Sequence, residues 1–383
     1  MNYDELEIAQ TLAERGEYDR AYILANKHLK QDPEDYTWLM VMSYIMLGTD
    51  KPILAYHLAK RCTQIQPKNP GGFMNLGMAC KDLRLDDAAL RYNRRGLKLS
   101  KSPDQRQMLH VNASSVLVDT GQYQEAEEHC LKALEIKPDS EKAIANLGFC
   151  QLAQRNWKEG WKNYRSCLGH EWRPIHKYDD EPLWDGKSKG TIAIYGEQGL
   201  GDQISFASMI PDLLSWAKDN DSRIVFDASN RLENLLKRSF PDATIYGTQG
   251  KQELYWAKED QKIDYSLPIG QVAEYFRTKD SDFPGVPYLK PDEDRVIQWK
   301  ALFDSKFNRP SACPKCDGYD LARQNDVDWN CQSCHYVWHP GKKPVIGIAW
   351  SGGIPHMNSS AGQIFHRRFR GCAVSSFAPL LPC

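Results

Sequence analysis

From Thr191 to Ala217 the chain reads TIAIYGEQGLGDQISFASMIPDLLSWA: an apolar run, a glycine-rich turn, then apolar positions at helical spacing. Ile192, Ala193, Ile194 and Tyr195 predict a buried strand of a parallel sheet. Gly196, Gly199 and Gly201 predict a tight turn with exposed backbone amides. Asp202 is expected at the N-cap of the helix that follows. Ile204, Ala207, Ile210, Leu214 and Ala217 mark one face of that helix, and Phe206, Met209 and Leu213 nearly close the ring, so it should be buried. Such a turn sets free N–H groups and a helix dipole beside a cleft, where phosphates or anionic substrates bind. The alternation continues through strand candidates at 223–227, 244–246 and 263–267 and helix candidates at 231–240, 270–276 and 292–303, where Val296, Trp299 and Leu302 share a face. PVIGIAWSGG at 344–353 repeats the opening theme. Two such starts predict two Rossmann-like units facing each other, with ligands held at the carboxyl ends of their strands.

The first half has a different period. GEYDRA at Gly16–Ala21, GQYQEA at Gly121–Ala126 and RNWKEG at Arg155–Gly160 align at a repeat of about 34 residues, with weaker copies in step at Ala55 and Ala89. Ala21, Ala55, Ala89 and Ala126 let helices approach closely. Tyr18, Tyr123 and Trp157 fill the space between, and prolines at 33, 67, 103 and 138 end each unit. The pattern resembles tetratricopeptide repeats, about five of them over 2–172. It implies a groove that holds a protein or peptide partner, or else a packing spacer. Residues 173–190 lose the period and read as a linker, with Trp184 as its anchor.

Lys and Arg number 49 against 50 Asp and Glu, so bulk charge points to neither nucleic acid nor a membrane surface. The start, MNYDELEIAQ, lacks a basic, apolar leader, and no apolar run reaches the length of a bilayer span. Cys62, Cys80, Cys130, Cys150 and Cys167 fall on helical faces and read as small buried hydrophobes. That usage predicts a cytoplasmic protein rather than a disulfide scaffold.

Four other cysteines are tightly spaced. Cys313 and Cys316 form one CxxC knuckle and Cys331 and Cys334 a second, fourteen residues on. Four thiolates at this spacing suit a closed tetrahedral structural zinc site, with rubredoxin-like iron and uncoordinated thiols as the alternatives. Tyr319, Trp329, Tyr336 and Trp338 would core a zinc ribbon over 308–340. Lys315 and Arg323 are balanced by Asp317, Asp320, Asp326 and Asp328, which argues against nucleic acid as its partner.

Trp184–Gly186, YGEQGLGDQISFA at Tyr195–Ala207, IDYSLP at Ile263–Pro268, PYL at Pro287–Leu289 and GIAWSGGIPH at Gly347–His356 together resemble bacterial tetratricopeptide-linked glycosyltransferases of the GT-B fold. The likeness is to both heptosyltransferases and O-linked N-acetylglucosamine transferases, and covers roughly 1–305 and 344–356. It implies an N-terminal Rossmann-like half over 191–305 and a second half from 344. The function implied is metal-independent sugar transfer from a nucleotide-sugar donor to a protein or glycan acceptor held by the repeats. It implies Asp202 as general base toward the acceptor hydroxyl, unless that residue only caps its helix. Gly196, Glu197, Gln198, Gly199 and Gly201 would line the cleft, with Ser351, Gly352 and His356 on the donor side. Only about forty residues follow Pro344, whereas a nucleotide-sugar domain needs roughly a hundred. The expectation is therefore an incomplete second half over 344–383: a fragment, a change of frame near Arg370, or a fold completed by a partner. The rival reading is a non-catalytic tetratricopeptide scaffold carrying a degenerate GT-B domain.

Overall fold

A computed structural model describes residues 3–170, 173–249, 256, 262–307, 314–316, 319, 321–324 and 329–338. Ten helices come first: α1 (Tyr3–Glu14), α2 (Tyr18–Leu29), α3 (Tyr36–Gly48), α4 (Pro52–Ile65), α5 (Pro70–Asp82), α6 (Asp86–Leu99), α7 (Pro103–Asp119), α8 (Tyr123–Ile136), α9 (Glu141–Ala153) and α10 (Trp157–Tyr164). Each packs on the next, and α1, α3, α5, α7 and α9 also pack on one another in succession. The odd-numbered helices therefore form the inner layer of a solenoid.

The bend within each helix pair has one backbone signature. Gly16, Asp50, Arg84, Gly121 and Arg155 all take positive φ, between 57° and 79°. This left-handed residue recurs at the repeat period, with one longer step absorbed by the 17 residues of α7. Two of the five bends use glycine, which has no Cβ to clash there. The small positions behave as the pattern predicts: Ala21, Ala55, Ala89 and Ala126 are fully buried, as are the five scattered cysteines. Asp35 caps α3, accepting from the backbone N–H groups of Thr37 at 2.8 Å and Trp38 at 3.2 Å. One expectation changes sense. Pro103 stands at the start of α7, as Pro52 and Pro70 do for α4 and α5, because a first-turn N–H has no helical partner to lose.

A parallel sheet follows. Its strands are β1 (Thr191–Tyr195), β2 (Arg223–Asp227), β3 (Thr244–Tyr246) and β4 (Tyr265–Pro268), in the order β3-β2-β1-β4. All pairings are parallel, with Ile194 opposite Phe226 on one side and Leu267 on the other. The predicted long helix after β1 is broken. It runs as α11 (Leu200–Phe206), a turn of 3₁₀ helix and α12 (Ile210–Asp219), with Pro211 in the first turn of α12. Proline cannot donate to the preceding turn, which ends α11 there. α13 (Glu233–Ser239) packs on β3, and α14 (Ala273–Phe276) follows β4. In α15 (Glu293–Phe307), Val296, Trp299 and Leu302 are 40–57% exposed, so the face they share is not a core face. Described parts of the cysteine-rich region form a small antiparallel sheet of β5 (Leu321–Arg323), β6 (Trp329–Cys331) and β7 (Val337–Trp338).

Solenoid and sheet share one core. Trp161, Tyr164 and Cys167 cluster with Trp184, Ile192, Leu213, Leu267 and Val272. The indole N–H of Trp161 donates to the Arg277 carbonyl at 2.9 Å, and Arg165 binds Glu274 and the Tyr275 hydroxyl. Trp184 is fully buried. Its backbone N–H donates to the Ser266 carbonyl at 2.9 Å, adding the linker to the edge of β4. The described residues hold one four-stranded parallel sheet, which does not establish a GT-B fold. Residues 344–383, with Ser351, Gly352 and His356, lie outside the described residues, as does Cys313.

Candidate functional site

In an open parallel sheet, ligands collect where the strand order reverses. Here that point lies between β1 and β4, and a side chain already fills it. Arg173 is fully buried. Its Nε and Nη2 lie 2.6 and 3.1 Å from the two carboxylate oxygens of Glu197, just after β1. The Gly270 N–H, just after β4, donates to the same carboxylate at 2.9 Å. Arg173 also donates to the Tyr164 carbonyl at 3.0 Å and lies 3.9 Å over the Tyr164 ring. Glu197, expected to line a cleft, is thus turned inward and spent on an ion pair. A buried carboxylate needs a counter-charge, and the linker supplies it.

The glycine-rich turn also departs from expectation. Gly196, Gly199 and Gly201 are absent from the left-handed residues; Gln198 is the one with positive φ, at 59°. That is a strained position for a side-chain-bearing residue. Its side-chain N–H donates to the Tyr164 hydroxyl at 2.8 Å, so the last solenoid helix braces the turn. Gly196 is needed for a different reason. A Cβ there would stand 2.5 Å from the Gln203 side chain. Nor is Asp202 the N-cap. It is the third residue of α11, and its Oδ2 accepts the Gly199 N–H at 2.9 Å. Placed one turn in, a carboxylate still satisfies an orphan N–H of the helix start.

A cavity of about 360 Å³ opens beside this turn, at the carboxyl ends of β1, β2 and β3. Gln198, Gly199 and Leu200 form one wall, Ser229 and Arg231 a second, and Gln203, Gln249 and His176 the remainder. The back wall is fixed by a relay. Gln203 Nε2 donates to Gln249 Oε1 at 2.6 Å, the Ser229 N–H donates to Gln203 Oε1 at 3.0 Å, and Gln249 donates to the Gly196 carbonyl. Gly196, Glu197, Gly201 and Asp202 do not line it. Asp227, at the end of β2, is also withheld, accepting from Thr248 at 2.7 Å and Tyr178 at 3.1 Å. Burial pushes its carboxyl above the usual range, against those hydrogen bonds. Sequence reading missed His176, Gln203, Ser229, Arg231 and Gln249. Ser229 and Arg231 follow a predicted strand, which is the one signal that pointed to them.

Among the described residues, Cys316, Cys331 and Cys334 bring their sulfurs within 4.8 Å of one another, with Cys316 and Cys331 at 3.6 Å. Tetrahedral zinc with thiolates at ~2.3 Å sets neighbouring sulfurs ~3.8 Å apart, so the spacing fits such an ion. The second knuckle is closed by backbone bonds, His335 N–H to Cys331 O at 2.8 Å and Cys331 N–H to Tyr336 O at 3.0 Å.

Comparison with known proteins reaches the repeats. A family model described as tetratricopeptide repeat matches residues 109–140, which fall in α7, α8 and the loop that follows. The first half is a tetratricopeptide-repeat solenoid. Protein FlbA of Caulobacter vibrioides is 28% identical over 245 residues, 60% of this chain. The chain spans 39% of FlbA's length. A structure of Pseudomonas aeruginosa PilF is 14% identical, covering 43% of this chain and 73% of that one, with a TM-score of 0.38. A thermophilic tetratricopeptide protein of Thermus thermophilus is 21% identical, covering 44% and 90%, with a TM-score of 0.39. No described helix is long and apolar enough to cross a membrane.

Proposed function

We propose that the chain is a protein-binding scaffold whose tetratricopeptide solenoid holds a peptide or protein segment beside a ligand-binding parallel-sheet unit. The observation that carries it is the continuous inner layer of α1, α3, α5, α7 and α9, joined through α10 to the same core as the sheet. Such an inner surface presents side chains from several repeats to one extended partner. The test selects binders from a phage-displayed random peptide library on the full chain, then maps hydrogen exchange with a selected peptide bound. Protection should concentrate on the odd-numbered helices. Protection confined to the even-numbered helices, or to the sheet unit, overturns the reading.

A second reading is favoured by the cavity at the strand ends, where Gly199 and Leu200 begin the helix that carries Asp202. In it the sheet unit is the acceptor half of a GT-B glycosyltransferase, and the donor is a nucleotide sugar. The free oxygen of Asp202 takes the proton from the attacking hydroxyl, while Gln198 and Gly199 line the acceptor site. Asp202→Asn should then lower transfer by about 10²-fold or more with folding unchanged. Unchanged transfer removes Asp202 from the chemistry. No transfer by the wild type across a broad donor panel leaves the scaffold reading.

We also infer a structural zinc ion held by Cys316, Cys331 and Cys334 with Cys313 as fourth ligand. Four thiolates leave no open position for catalysis. Elemental analysis should find about one zinc per chain and a loss in Cys334→Ser; stoichiometric metal retained in that variant means the ligands are others.

A further inference from the structure

The cavity at the strand ends has a chemical character that neither reading above assigns. Arg231 lines it, is exposed, and its guanidinium makes no ion pair with any described residue. Among the described residues, no carboxylate lines the cavity. The nearby acids are engaged elsewhere: Glu197 with Arg173, Asp227 with Thr248 and Tyr178, Glu233 with Lys237, and Asp202 with the Gly199 N–H. The wall is weighted toward donors. Gln203 and Gln249 each spend the amide oxygen and one N–H on the relay, which leaves each a second N–H. Ser229 adds a hydroxyl. The relay glutamine Gln203 is only 2% exposed and hydrogen-bonded to Gln249 and Ser229, so this wall is held from within the fold.

We propose that this cavity binds a small oxyanion ligand, a phosphate monoester or a carboxylate, with its charged group on Arg231 and its remaining oxygens on the Gln203–Gln249 wall. A guanidinium presents two parallel N–H groups that match either anion. About 360 Å³ accommodates a monosaccharide-sized molecule and not a macromolecule. The strained Gln198 forms the rim toward the solenoid, and its bond to Tyr164 holds that rim shaped without ligand. The proposal does not depend on sugar transfer or on peptide capture by the repeats.

The experiment is calorimetric titration of the full chain with glucose 6-phosphate, glucuronate and glucose. Saturable binding is expected for one or both anions and not for glucose, weakening as salt rises. Which anion binds more tightly distinguishes phosphate from carboxylate. Arg231→Gln should weaken binding by about tenfold or more, and Arg231→Lys by less. Arg231 is exposed and makes no ion pair with a described residue, so the thermal midpoint of both variants should match the wild type. The proposal is overturned if Arg231→Gln binds as the wild type does, if glucose binds as well as the anions, or if neither anion binds.

Discussion

The two halves of the molecule solve the same packing problem with different materials. The solenoid buries small apolar side chains, Ala21, Ala55, Ala89, Ala126 and five cysteines, in contacts between neighbours in sequence. Each bend repeats one left-handed residue. The sheet unit buries charge instead: Arg173 against Glu197, Arg277 against Asp212, and Asp227 under Tyr178 and Thr248. It also holds a strained glutamine where the chain has glycines on either side to choose from. Small-residue packing tolerates many sequences of similar volume. A buried ion pair tolerates almost none with one partner missing. Buried charge and the donor-lined cavity occur together in the sheet unit.

The largest expected effect falls on the ion pair at the strand-order reversal. Glu197→Ala leaves the Arg173 guanidinium buried and uncompensated, and should cost about 3–5 kcal/mol in urea unfolding followed by circular dichroism. The double variant Arg173→Met with Glu197→Leu should recover most of that loss. A single-variant cost under about 1 kcal/mol would mean the pair is hydrated, and the contrast between halves would fail.

Next in size is Gly148→Ala in α9, where a new Cβ would come 2.8 Å from the Tyr164 backbone nitrogen. Overpacking against backbone should cost about 1–3 kcal/mol. At Gly121 a Cβ meets nothing within 4 Å, but φ is +75°, so Gly121→Ala should cost about 1–2 kcal/mol from strain alone. Equal losses at the two sites would show that the join at α10 is no tighter than an ordinary bend.

A pH effect belongs to the solenoid. His110 on α7 and His129 on α8 face each other with Nδ1 atoms 3.0 Å apart. Burial first, then the neighbouring His129 and the cations Arg106 and Lys132, lower the His110 pKa to about 4, and burial lowers that of His129. Both therefore bind protons more readily unfolded than folded, so stability falls as pH drops below about 6.5 and continues falling to about 4. Over that window the loss is at most about 1.4 kcal/mol for each tenfold difference in proton affinity between the folded and unfolded chain. His110→Gln should flatten the slope of the urea midpoint between pH 6.5 and 4. An unchanged slope would remove His110 from the acid sensitivity.

The smallest effect tests the bends. Asp50 holds φ of +57° where the first and fourth repeats use glycine. Asp50→Gly should stabilise by a few tenths of a kcal/mol to about 1, since relieved strain exceeds the entropy that glycine adds. A loss would mean that the aspartate side chain contributes more than its backbone strain costs.

The solenoid was legible in the sequence because its signals are local and recur: alanine at the close approach, glycine at two bends, an aromatic beside each. The parallel strands were legible for the same reason, as short apolar runs between turns. What stayed hidden depends on contacts between distant residues. Arg173 sits in a segment without period, and nothing local marks it as buried until Glu197 meets it across 24 positions. Gln198 was expected to line the cleft, which it does, but nothing local showed that it would take the left-handed turn with its side chain held by Tyr164, 34 positions away. Arg231 and the two wall glutamines come together only once β1, β2 and β3 align. Asp202 was correctly tied to the helix start but assigned one turn too early, since capping from the first turn and from the N-cap leave the same residue type in sequence.

The most direct test of the scaffold account is hydrogen exchange of the full chain with a selected peptide bound. Slowed exchange on α3, α5 and α7, with α4 and α6 unchanged, is the predicted result. Slowing on the even-numbered helices, or only in β1–β4, would contradict it.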